Sequence, residues 1–114
     1  MTPAEAVVDA GVHAALAIGS RTGIDAAPVR GLAKARCELF RDGVLVATGR
    51  GRSVLGGPLN ALHWLVRGLS SGLMAGEIVT TGTLTDALPI QPGERWEHRL
   101  TAAIALEPVV LEFR

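Results

Sequence analysis

The sequence has no tyrosine and only two tryptophans and two phenylalanines, so its core has to be built from Ala, Val, Leu and Ile. A single cysteine, Cys37, excludes an internal disulfide and a thiolate metal cage. Net charge is also missing. Eleven acidic and eleven basic residues are scattered along 114 residues, without the concentrated basic surface that nucleic acid or an anionic membrane requires. No apolar run approaches the length of a membrane span. The N-terminus lacks the basic start and long apolar stretch of a signal peptide. A cytoplasmic location follows as an expectation, with a small molecule or another protein as partner, no nucleic acid and no membrane. There is no internal repeat and no low-complexity tract.

What is present is 48% hydrophobic and carries 14 glycines, which predicts one turn-rich, strand-rich domain over residues 1–114. The chain is organised around residues 47–68. A strand ends at Ala47 and Thr48, and a loop follows with Gly49, Gly51, Gly56 and Gly57. Pro58 then opens an amphipathic helix, a position where its missing N–H has no intrahelical partner to lose. Leu59, Leu62, Val66 and Leu69 recur at spacings of three and four, a stripe expected to lie against a sheet.

The clearest local signal lies over residues 33–48. Ala33, Ala35, Cys37 and Leu39 alternate with Lys34, Arg36 and Glu38, the pattern of a strand with one wet face. Asp42-Gly43 supplies the positive φ angles of a tight hairpin, and Val44-Leu45-Val46 returns antiparallel. Residues 95–102 alternate again, with Trp96, His98 and Leu100 on one side. Val109, Leu111 and Phe113 predict a last strand that pairs with it. Shorter strands are expected at residues 77–81 and 88–90, and one at residues 12–18, where the alanines make helix a competitor. Thr2-Pro3-Ala4-Glu5 reads as a capping box that starts a short helix over residues 3–10.

Two motifs, L-G-G-P-L-N-A-L-H-W-L at residues 55–65 and L-M-A-G-E-I-V-T-T-G-T-L-T at residues 73–85, carry a family resemblance. Together they resemble the C-terminal part of the 2-keto-4-pentenoate hydratase and 4-oxalocrotonate decarboxylase group, in the fumarylacetoacetate hydrolase superfamily. The similarity reaches weakly back to V-V-D-A-G-V-H-A-A-L-A-I-G and forward to Q-P-G-E-R-W. The resemblance implies an α+β fold, a β-rich mixed sheet or roll packed on one main helix. It also implies chemistry on short 2-keto acids with a divalent metal, held by a Glu-x-Glu pair and a third acid upstream of the matched region. This chain starts after those positions, so no bound metal and no cofactor are expected. A substrate-holding lysine of the family is upstream as well.

Inside the matched region the sequence departs twice. Asp9-Ala10-Gly11-Val12 stands where the family has Asp-Asn-x-Ser, and Gly57 stands where many relatives carry a histidine. The resemblance places Thr81, Gly82 and Thr83 near a substrate carboxylate, although Thr81 and Thr83 read equally well as ordinary strand and turn residues. Asn60 is a pocket candidate whose plain reading is to tie down the glycine loop. Arg52, with Arg50, is a candidate for a carboxylate, since a guanidinium fork suits that geometry; a solvated loop is the alternative. His13 could work as acid or base with Asp9 orienting it, or be a packed core histidine after a helix that Asp9 ends. His63, His98, Trp64 and Trp96 read first as packing or dimer-interface residues. Cys37 reads as a small buried hydrophobe.

Two classes of function therefore stand. One is a metal-independent lyase or isomerase on a keto or enol compound, or a cyclase that holds a polyene in an apolar cavity. The other is a non-catalytic binding or assembly subunit that kept the family's body. A third possibility is that the chain is a fragment of a longer enzyme, against which Met1 and the capping box weigh. A homodimer is expected, because one helix cannot cover both sides of so small a strand-rich body.

Overall fold

The structure, a computed structural model, describes residues 15–23, 31–101 and 106–114. The expected helix over residues 3–10 lies outside the described residues, as do residues 12–14 of the expected first strand. Residues 15–18 form no regular structure.

Four strands make one sheet: β1 (Arg36–Arg41), β2 (Val44–Arg50), β3 (Arg95–Thr101) and β4 (Val109–Glu112). Their order is β2-β1-β3-β4 and every pairing is antiparallel. One α-helix, α1 (Pro58–Gly68), completes an α+β architecture, with 3₁₀ turns at Gly31–Lys34 and Gly51–Ser53.

The hairpin turns where Asp-Gly demands it. Asp42 and Gly43 both have positive φ, 48° and 81°, the requirement of the two-residue turn that matches strand twist. Asp42 also pins the hairpin to the next strand: its Oδ1 accepts from the Arg95 N–H at 2.9 Å, and its own N–H donates to the Arg95 carbonyl at 2.8 Å. Register places Cys37 opposite Gly49 and Leu100, Leu39 opposite Ala47 and His98, and Trp96 opposite Leu111. One face of the sheet therefore collects Cys37, Leu39, Trp96, His98 and Leu111. Among the described residues the buried apolar side chains are Ala35, Cys37, Val54 and Trp96.

Three glycines allow chain segments to touch where a side chain would keep them apart. A methyl group at Gly49 would overlap the Leu84 carbonyl, and one at Gly51 would overlap the Leu32 carbonyl. One at Gly57 would press on Ala33 at 3.1 Å. The Gly51 N–H also donates to the Ala35 carbonyl at 2.9 Å, locking the two 3₁₀ turns together.

Two expectations are corrected. Residues 77–81 form no strand. Glu77 instead closes a turn on Met74, its N–H donating to the Met74 carbonyl and its carboxylate accepting from the Met74 N–H. Residues 88–90 are likewise irregular, and Pro89 has no N–H to give a ladder. The helix keeps its apolar stripe, but its main contacts are with the Gly31–Lys34 turn. Trp64 is 61% exposed, and Leu65, Val66 and Leu69 are exposed as well.

The glycine contacts make opposite predictions at two sites. Gly49→Ala is expected to lower stability by about 1–3 kcal/mol, because the Leu84 backbone has to move. Gly68→Ala, at a helical position with open space around it, is expected to raise stability by about 0.4–1 kcal/mol. Urea midpoints of the two variants check both signs.

Candidate functional site

Loop residues 83–90 lie beside the apolar face of the sheet and with it line an open cavity of about 290 Å³. Leu39, Trp96, Leu111 and Phe113 form its floor, and Thr83, Thr85, Asp86, Ala87, Leu88 and Ile90 its roof. Strand alternation accounts for the floor, since Leu39, Trp96 and Leu111 share one face by register. The close approach of Leu84 to Gly49 holds the roof at its start.

Trp96 is a fixed wall. Its Nε1 donates to Glu94 Oε2 at 2.8 Å, and the same oxygen accepts from the Gln91 N–H at 3.1 Å. The turn around Gly93 is tied to the end of the chain: the Gly93 N–H donates to the Phe113 carbonyl at 2.7 Å and the Phe113 N–H to the Glu94 carbonyl at 3.0 Å. The Arg41 guanidinium stands 6.0 Å from the Trp96 ring centroid. Polar groups in the cavity come from Thr83, Thr85 and Asp86, with Thr85 Oγ1 donating to the Asp86 carbonyl at 3.2 Å.

A second hollow, about 560 Å³, lies between residues 16–21 and 76–80, with Arg21, Glu77 and Thr80 in its wall. Thr80 lines this hollow and Thr83 the sheet-face cavity, so the stretch of residues 80–83 runs from one to the other. The two begin no more than about 10 Å apart along the chain.

The sequence candidates separate in space. Thr83 lines the sheet-face cavity; Thr81 is half-buried and lines neither hollow. Gly82, with φ of 111°, sits against Val54. Asn60 does tie down the glycine loop, its Nδ2 donating to the Leu55 carbonyl at 3.2 Å. Arg52 lies elsewhere, in a pocket with Lys34 and Arg50. His13 and Asp9 lie outside the described residues. Cys37 is buried, and burial, reinforced by the Glu38 carboxylate, pushes its thiol pKa up, which keeps it protonated and inert. Asp86 carries no motif and sits among hydrophobic residues in a loop; sequence reasoning passed over it.

No family model matches the chain. A 2-keto-4-pentenoate hydratase of Paraburkholderia xenovorans is 42% identical over 62 residues, which is 52% of this chain. A second such enzyme from Pseudomonas putida gives the same values, and one from Dechloromonas aromatica is 40% identical over 63 residues. The 4-oxalocrotonate decarboxylase of Pseudomonas putida G7 superposes on 74% of this chain with a TM-score of 0.64 and 29% identity, in a form that holds calcium and acetate. Another form of that decarboxylase, with magnesium and adipate, superposes equally well.

This chain resembles that hydratase and decarboxylase group. Its fold is the group's mixed sheet with one helix. The chain spans about a quarter of the length of the curated hydratases it matches, 23% for the first two, and 32% of the decarboxylase, which fits a C-terminal part of such an enzyme. Calcium and magnesium take several oxygen ligands. Among the described residues no three His, Cys, Asp or Glu side chains come together to hold a metal, so these residues do not fit the ion of the decarboxylase. No helix among them is long and apolar enough to cross a membrane.

His98 is the imidazole on the cavity side of the sheet, half-buried opposite Leu39 and Val109. Burial disfavours its charged form and lowers its pKa. An unfolded chain then binds the proton more readily, so folding stability falls as pH drops below the ordinary histidine range, about 6.5. Between about pH 7.5 and about pH 5.5 the melting temperature is expected to fall in the wild type and to fall less in His98→Gln. Glu97, whose pKa is lowered first by its hydrogen bond from Arg99, contributes only at lower pH.

Proposed function

We propose that this chain acts as a lyase or isomerase on a short keto or enol acid, in a reaction that needs no metal. The observation that carries the reading is the short stretch of residues 80–83, whose first residue, Thr80, lines the more polar hollow and whose last, Thr83, lines the apolar one. A keto acid has those two ends. Its hydrocarbon end suits the Leu39, Trp96 and Leu111 floor, and its carboxylate suits the hollow that holds Arg21. The names of the similar enzymes, a 2-keto-4-pentenoate hydratase and a 4-oxalocrotonate decarboxylase, support the same substrate class.

In this reading the Thr83 hydroxyl donates to the keto oxygen and Asp86 carries a proton, while Thr85 Oγ1 donates to the Asp86 carbonyl and holds that loop. His13, with Asp9, is the second candidate acid–base pair; residues 16–19, just after it in the sequence, line the polar hollow. Thr81 and Gly82 join Thr80 of one hollow to Thr83 of the other along the chain. The apolar floor suits a polyene cyclase equally in character, but its volume of about 290 Å³ favours the smaller substrate.

Turnover of 2-keto-4-pentenoate, followed by the loss of its enol absorbance, tests the proposal. Chelator-treated protein is expected to match untreated protein, and loss of turnover on chelation would overturn the metal-independent chemistry. A proton-carrying group contributes about 10²–10⁴-fold. Asp86→Asn and His13→Ala each test one group, and the variant that keeps full turnover removes its residue from the mechanism. Absence of turnover with this and other short 2-keto acids would favour the binding-subunit alternative.

The working form is proposed to be a homodimer built on the uncovered stripe of α1, where Trp64, Leu65, Val66 and Leu69 stand exposed beside Leu73 and Met74. The chain has no net charge, so a second copy meets no overall repulsion. Light scattering is expected to give a dimer for the wild type and a monomer for Trp64→Glu. A monomeric wild type at micromolar concentration would refute the pairing.

A further inference from the structure

Among the described residues, the basic side chains at one end of the sheet have no acidic partners. Register sets Arg36 of β1 directly opposite Arg50 of β2, and like charges in that position repel. Arg50 lies in turn beside Lys34, at the end of the first 3₁₀ turn, and Arg52, in the second; these three line one pocket of about 480 Å³ with Ala33 and Gly56. Ion pairs among the described residues are confined to Glu97, which takes Arg99 at 2.8 Å and Arg95 at 3.8 Å. Glu38, next on the Arg36 face of β1, stands opposite Thr48 and Arg99. The pocket is held open by backbone: the contact of Gly51 with Leu32 and its hydrogen bond to Ala35 fix the two turns that carry Lys34 and Arg52.

We propose that Lys34, Arg50 and Arg52 bind a compact doubly charged oxyanion, a phosphate monoester or a small dicarboxylate. Two guanidinium forks present paired N–H donors that match the oxygens of either group, and an ammonium adds a point charge. The bound anion offsets the Arg36–Arg50 repulsion that the apo chain carries. By alternation from Cys37 and Gly49, the Arg36–Arg50 pair belongs to the sheet face opposite the apolar cavity. The site therefore stands whether or not that cavity turns over a keto acid.

Calorimetric titration of the whole chain with inorganic phosphate, and separately with succinate, tests this at constant ionic strength set with chloride. One of the two is expected to bind saturably, one per chain, and to raise the melting temperature. Phosphate binding identifies the monoester as ligand class and succinate binding the dicarboxylate. The double variant Arg50→Gln/Arg52→Gln is expected to lose at least about tenfold in affinity, while Arg114→Gln, which removes one charge elsewhere, keeps it. Should the double variant not fold, Lys34→Gln carries the same comparison. The proposal is overturned if neither dianion binds beyond the chloride background, or if Arg114→Gln weakens binding as much as the pocket variants do.

Discussion

The structure depends on two places where backbone meets backbone with no side chain between. At Gly49 the carbonyl of Leu84 occupies the space a Cβ would need, and at Gly51 the carbonyl of Leu32 does. Interiors are packed closely enough that even one methyl group is felt. Here the methyl would push apart whole segments. The first contact brings the loop of residues 83–90 down onto the sheet, which makes the apolar cavity. The second holds the two 3₁₀ turns together, which makes the basic pocket. Both concavities of interest are thus set by absent side chains in a single short stretch.

The chemistry of the cavity is that of a container with a few polar groups. Its floor is apolar and fixed, because Trp96 is hydrogen-bonded through Glu94 to a turn that also holds Phe113. Its roof carries Thr83, Thr85 and Asp86. The proposed chemistry asks such a site to position a substrate and move one proton; the 4-oxalocrotonate decarboxylase it resembles holds calcium or magnesium. The resemblance to the hydratase and decarboxylase group covers the architecture and about half to three quarters of the chain. The ligand set for a metal is not among the described residues.

The sheet was legible in the sequence wherever a local signal sufficed. Alternation from Ala33 to Leu39 and over residues 95–102, with Asp42-Gly43 after the first run, was enough to read three of the four strands, although Ala33 and Lys34 belong to a 3₁₀ turn and β1 starts at Arg36. The fourth followed from Val109 and Leu111. Residues 77–81 misled because an apolar, β-branched run says only that a segment can be extended; a strand also needs a neighbour to accept its hydrogen bonds. The helical stripe misled similarly. Its periodicity is real, yet periodicity does not say what covers it, and Trp64 stays in solvent. Asn60 was read correctly as a tether because its partner is five residues away. Asp86 was invisible because what makes it a candidate is its place in one hollow with Trp96 and Leu111, which the sheet brings together. The clash of Arg36 with Arg50 required register, which no linear pattern supplies.

The β2-β1-β3-β4 order carries a kinetic consequence. The β1–β2 hairpin closes across two residues, whereas Asp42 meets Arg95 over a separation of 53. Closing so long a loop costs chain entropy before any ladder bond repays it, and proteins rich in such distant pairings fold slowly. The hairpin is therefore the cheaper piece of structure to close, and docking of β3 against it carries the larger entropy cost. Until that docking, the floor of the cavity does not exist, since Leu39 waits for Trp96 and Leu111 to arrive from the far end of the chain.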